Sequence, residues 1–212
     1  FTHPVSLRGV RDLRFYPSKS AFVSESEVDG SYSIEYRNYP HDRMPLRRLA
    51  TADLSSDESR AHLQIPESIR DEIADLARDI TEGYPESPYQ KIKAIEDYLE
   101  LHYEYNPNYK RSPRNQDPIR WFLFEEKAGV CSSFNSAFAL LARSIGIPAR
   151  IVVGYGNINP RDNYQVVRAT QAHMRIEVPF QDVGWIPFDA TPPGGFGGPE
   201  ATETEITEFD ER

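Results

Sequence analysis

The sequence predicts an α+β fold in which a buried helix packs on a mostly antiparallel sheet. Two observations predict it. Apolar residues recur at helical spacing through the middle of the chain, and short alternating or apolar segments bounded by glycine and proline follow them. Helices first and strands later is the order of segregated layers rather than of repeating strand–helix units.

The first sixty residues read as a strand-rich segment. Tyr32, Ile34 and Tyr36 alternate with Ser31, Ser33 and Glu35, and Asp29-Gly30 before them is a hairpin-turn signal. From Arg47 to Arg60 the chain is polar and reads as a linker. Helical periodicity starts at Ile65-Pro66, where Ile65, Ile69, Ile73, Leu76 and Ile80 fall on one face; Gly83 and Pro85 end it. Ser87-Pro88-Tyr89-Gln90 has the form of a capping box with proline at the first helical position, and Ile92, Ile95 and Leu99 supply the inward stripe of the helix that follows.

A third helix follows Cys131. Phe134, Ala137, Phe138, Leu141 and Ile145 share a face and Ala139 and Leu140 widen it, which marks this helix as the buried central one; Gly146 and Pro148 end it. Strands are expected over 149–154, 164–170, 172–180 and 185–189. The expected organisation is a strand-rich segment (1–60), a core (61–193) and a flexible acidic tail (194–212).

The chain has 212 residues, enough for a core without disulfide or metal staples, and its net charge of −9 argues against nucleic acid as a partner. No cluster has metal-ligand spacing and no glycine-rich phosphate loop follows a strand, so no cofactor is expected. No apolar run reaches the length of a membrane helix. The chain begins at Phe1, which reads as an excised piece of a longer protein.

With one cysteine in the chain, Cys131 is an inert buried thiol, an accident, or a reactive group. Its position at a helix start favours the last, because the uncapped N–H groups there stabilise a thiolate, and its own backbone N–H can hold an oxyanion. Gly129 lets the backbone turn sharply and lets a substrate come close. His173 lies in a strand with Arg175 and Glu177 on its face and Met174, Ile176 and Val178 opposite; it is an exposed strand histidine or a base for the thiol. Asp189, after Trp185-Ile186-Pro187-Phe188, is a turn aspartate or the group that fixes the imidazole tautomer.

Gly129-Val130-Cys131, the run Phe138 to Arg150 ending in Gly146-Ile147-Pro148-Ala149-Arg150, and Val153-Gly154-Tyr155 resemble the core signature of transglutaminase-like domains. Ala172-His173 and Gly184-Trp185-Ile186-Pro187-Phe188-Asp189-Ala190-Thr191-Pro192 resemble that family's histidine and aspartate motifs. The resemblance implies a papain-like fold and a Cys131–His173–Asp189 triad. It also implies acyl transfer on amide or glutamine side chains of a protein or peptide through a thioester, ending as a transglutaminase or as a peptidase or amidase. A second oxyanion donor from an upstream aromatic residue makes Tyr103 and Tyr105 candidates. Microbial members are often parts of membrane-anchored proteins, which implies a cell-surface or extracellular domain. The chain departs from the family at Ser132-Ser133 and Met174-Arg175. Those changes alter the walls of the acyl site, where Arg175 and Trp185 are substrate-binding candidates. Arg175 alternatively pairs with Glu177 or Asp182. The family also contains silent binding modules, the alternative that the intact Cys/His/Asp set disfavours. Oligomeric state is not legible.

Overall fold

The computed structural model describes residues 3–16, 21–26, 32–37, 48–84, 86–156 and 169–193. Its elements confirm the α+β class. Near the start, β1 (His3–Arg8) pairs antiparallel with β4 (Ser33–Arg37), and β2 (Leu13–Tyr16) with β3 (Ala21–Ser24). The Asp29-Gly30 turn, Pro85, the acidic tail and most of the strand expected over 164–170 lie outside the described residues. What is described of that last segment differs from expectation, since Ala169–Gln171 forms a 3-10 turn.

The polar stretch read as a linker contains a helix, α1 (Ser56–His62). Ser55 and Glu58 form a capping box at its start, and it buries none of its residues, which is why no apolar stripe announced it. A 3-10 turn (Glu67–Ile69) leads into α2 (Arg70–Thr81), where Ile69, Ile73 and Ala77 are buried and Ile65, Leu76 and Ile80 pack at the margin. Helix α3 (Pro88–His102) starts as expected, with Pro88 in the first turn and the Ser87 hydroxyl accepting the Gln90 N–H. Ile92, Ile95 and Leu99 are fully buried.

Strand β5 (Glu104–Tyr105) pairs parallel with β6 (Ala128–Gly129), so Tyr105 lies opposite Gly129. Between them α4 (Pro118–Trp121), capped by Asp117, runs into a π-helical turn (Phe122–Glu126). Helix α5 (Cys131–Ser144) is the central helix. Phe134, Ala137, Phe138 and Leu141 have no exposed surface. It closes in a Schellman arrangement: Ile147 N–H donates to Ala142 O and Gly146 N–H to Arg143 O, with Gly146 at φ 77°. The Arg143 guanidinium then donates to Ala149 O and Gln64 O, tying the helix end to the strand entrance.

The main sheet is fully antiparallel, in the order β7 (Arg150–Tyr155), β8 (Ala172–Phe180), β9 (Gly184–Phe188). Ile176, Val178 and Phe180 of β8 join α5 in one core with Ile186 and Phe188. The other row of β8 faces away, and there Arg150 on β7 pairs with Glu177 through Nε and Nη2. Residues 50–52 add to the end of β8: Ala52 N–H donates to Pro179 O, and Ala50 O accepts the Gln181 N–H.

Candidate active site

Local sequence fixes where each reactive side chain stands. Cys131 is the first residue of α5 and is partly buried. Helices α1, α3 and α4 are capped by Ser55, Ser87 and Asp117, but no side chain caps α5 at Val130. Its leading N–H groups therefore remain oriented toward the thiol end of the helix, where they favour negative charge.

The sharp backbone turn expected at Gly129 is not what calls for glycine. Its φ is not positive, and the constraint is space: a Cβ there would lie 2.6 Å from Ser133 Cβ and 3.1 Å from a Phe122 ring carbon. The missing side chain lets β6 pass against the first turn of α5.

His173 stands opposite Gly154 near the start of β8, and Asp189 follows the last residue of β9. Ile176 pairs with Phe188, which brings the end of β9 alongside the start of β8. The His173 Nε2 and Asp189 Oδ2 are 2.5 Å apart. Burial alone would raise the Asp189 carboxyl. Hydrogen bonds from Asn135, His173 and Thr191 outweigh it and hold the group below its ordinary value.

Asn135, one turn beyond Cys131 on α5, links Cys131 to Asp189. Its Nδ2 lies 3.0 Å from Asp189 Oδ1, 2.8 Å from Met174 O and 3.2 Å from Cys131 O. Glu96 on α3 accepts the Asp189 backbone N–H at 2.9 Å and pairs with Lys93. Burial raises the Glu96 carboxyl despite those partners. Sequence reasoning missed both residues. A signal existed for each: Asn135 is a polar residue inside an apolar helical run, and Glu96 occupies a stripe position between Ile92 and Leu99.

The two tyrosine candidates separate. Tyr103 is buried and its hydroxyl donates to Leu123 O, which turns the phenol into the core. Burial raises its pKa far above the ordinary phenol range. Tyr105 remains near the thiol: burial raises its phenol, and the Cys131 charge raises it further.

The two substrate-binding candidates have these neighbours. The Arg175 Nη2 lies 3.8 Å from Glu177 Oε1, the pairing that strand alternation offered as the alternative. Trp185 pairs with Pro179 at the far end of the sheet. It packs edge-on against His62 at 5.0 Å, and the Arg150 guanidinium sits 4.1 Å from its ring centroid. Trp185 is thus part of a stack that covers the outer sheet face, four residues back along β9 from Asp189.

Comparison with known proteins agrees with the fold. The model of the transglutaminase-like superfamily matches residues 74–190, more than half of the chain. Over 181 residues the chain is 34% identical to the uncharacterized protein YebA of Bacillus subtilis, covering 80% of this chain and 24% of YebA. Over 77 residues it is 39% identical to a protein-glutamine gamma-glutamyltransferase of Pseudomonas aeruginosa, covering 35% of this chain and 12% of that protein. The chain therefore spans a quarter or less of both relatives. Among solved structures, the periplasmic domain of TgpA from Pseudomonas aeruginosa, bound to ethylmercury, superposes with a TM-score of 0.65 at 22% identity. That match covers 87% of this chain and 64% of that one, and it carries the fold.

Proposed function

Since this chain belongs to the transglutaminase-like superfamily, we propose that it performs cysteine-dependent acyl transfer with Cys131 as nucleophile, His173 as acid and base, and Asp189 as the group that orients the imidazole. The observation that carries the reading is the 2.5 Å His173–Asp189 contact, joined through Asn135 to the helix that begins at Cys131.

Because Nε2 faces Asp189, proton exchange falls to Nδ1 of His173. The Cys131 thiolate attacks the carbonyl carbon of a glutamine side chain or peptide amide. The charge on the carbonyl oxygen is held by the Cys131 N–H and by the Tyr105 hydroxyl. The C–N bond breaks as the imidazolium gives its proton to the departing amine, leaving a thioester. A second amine or water, deprotonated by the imidazole, attacks the thioester, and the thiolate leaves. An amine acceptor gives an isopeptide or substituted amide; water gives a carboxylic acid. The partner is a protein or peptide, and the domain works outside the cytoplasmic membrane, in the manner of the periplasmic neighbour. Among the described residues no helix is long and apolar enough to cross a membrane.

The test is iodoacetamide alkylation of Cys131 across pH. Reaction well below the ordinary thiol range of about pH 8.5, and its loss in His173→Ala, is the expected result. A thiol inert at every pH would instead make the chain a binding module. Amine incorporation into a glutamine peptide, compared with cleavage of the same peptide, then separates transamidation from hydrolysis.

A further inference from the structure

We propose that Asn135 is a positioning residue for the His173–Asp189 pair, an inference that rests on the acyl-transfer reading and extends it to a side chain outside the triad. The amide is fully buried, with 0% of its surface exposed. Its Nδ2 has four oxygen neighbours: Met174 O at 2.8 Å, Asp189 Oδ1 at 3.0 Å, Thr191 Oγ1 at 3.1 Å and Cys131 O at 3.2 Å. Its Oδ1 accepts the Ala190 N–H at 3.3 Å. Chemistry leaves one orientation. A flipped amide would set its oxygen against two carbonyls and a carboxylate, and its nitrogen against an N–H.

The two N–H bonds therefore tie together three pieces of chain that are distant in sequence: the first turn of α5, the start of β8 and the turn after β9. The effect on Asp189 is specific. Oδ1 is taken by Asn135 Nδ2 and by the Thr191 N–H at 3.0 Å, which leaves Oδ2 directed at His173. The Asp189 backbone is held independently by Glu96. Glu100 and Arg175 are further charged groups that act on this carboxylate through space. The rotamer of Asp189 is thus set by an amide one helical turn from the thiol, and a shift of α5 would be felt at the imidazole.

Two measurements on Asn135→Ala test this. The first is proton NMR of the His173 ring N–H that faces Asp189, expected far downfield in the wild-type protein and lost to exchange or moved upfield in the variant. The second is a cycle with Asp189→Asn, read as the Cys131 alkylation rate at pH 7. Asn135→Ala alone lowers the rate at least about tenfold, and adds less than about twofold when Asp189 is already asparagine. An unchanged ring N–H signal, or fully multiplicative losses in the cycle, overturns the positioning role. If Asn135→Ala does not fold, the side-chain amide protons of Asn135 are followed in Asp189→Asn instead. They are expected to shift and exchange faster, and no change in them overturns the proposal. A wild-type thiol that is inert while the ring signal still depends on Asn135 would defeat the acyl-transfer reading alone. A reactive thiol with no dependence on Asn135 would defeat only this one.

Discussion

The His173 Nε2 on β8 and the Asp189 Oδ2 just beyond the end of β9 meet at 2.5 Å. A carboxylate this close fixes which ring nitrogen bears a proton and stabilises the imidazolium when it forms. Asp189→Asn keeps the shape and removes the charge. It is expected to cut acyl transfer, and alkylation of Cys131 at pH 7, by about 100-fold or more. Unaltered thermal unfolding would separate that loss from misfolding.

The buried carboxylate of Glu96 and the half-buried one of Asp189 give opposite pH dependences. Asp189 is held below its ordinary value, so its contribution to stability is complete above that value and is lost as pH falls through the lower folded one. Glu96 is raised by burial, so between its ordinary and its raised value the folded chain binds more protons than the unfolded chain, and stability falls as pH rises through that window. Urea unfolding at closely spaced pH values is expected to show a shallower acid limb in Asp189→Asn. In Glu96→Gln the decline on the neutral side of the ordinary carboxylate range should disappear.

Tyr103 and Tyr105 are two residues apart and are expected to fail differently. Tyr105→Phe removes the phenol that senses the Cys131 charge, and should lower the acylation rate about 100-fold with little change in KM. Tyr103→Phe removes the bond to Leu123 O inside the core, costing about 1–2 kcal/mol of stability and leaving the rate per folded molecule unchanged. Steady-state kinetics with denaturant midpoints on both variants check the assignment.

Gly129→Ala is expected to destabilise by about 1–3 kcal/mol, because the new methyl group would overlap Ser133 Cβ, which is fixed to the helix backbone. Gly83→Ala, where a Cβ would meet nothing within 4 Å, serves as the control. Differential scanning calorimetry of the pair reads the difference.

The parts of this molecule that were legible in the sequence are those encoded by local period and punctuation. The stripe from Phe134 to Leu141 marked the buried helix, Gly146 its end, and Ser87-Pro88 the start of another, since each depends on residues within one or two turns. Helix α1 was illegible because it rests on a capping box at its surface and buries nothing.

Chain order alone put a cysteine at a helix start, a histidine on a later strand and an aspartate at the end of the next, and their residue types named the chemistry they could share. Strand register decided part of the rest: pairing Ile176 with Phe188 brings the chain leaving β9 alongside the start of β8, where His173 stands. Only packing between helix and sheet could bring Asn135 and Glu96 to the same carboxylate, turn the Tyr103 hydroxyl inward and send Trp185 to His62 and Arg150. A hydrogen bond between residues 54 or 93 apart leaves no periodic trace in the chain, because it is set by where two surfaces meet rather than by the spacing along either one.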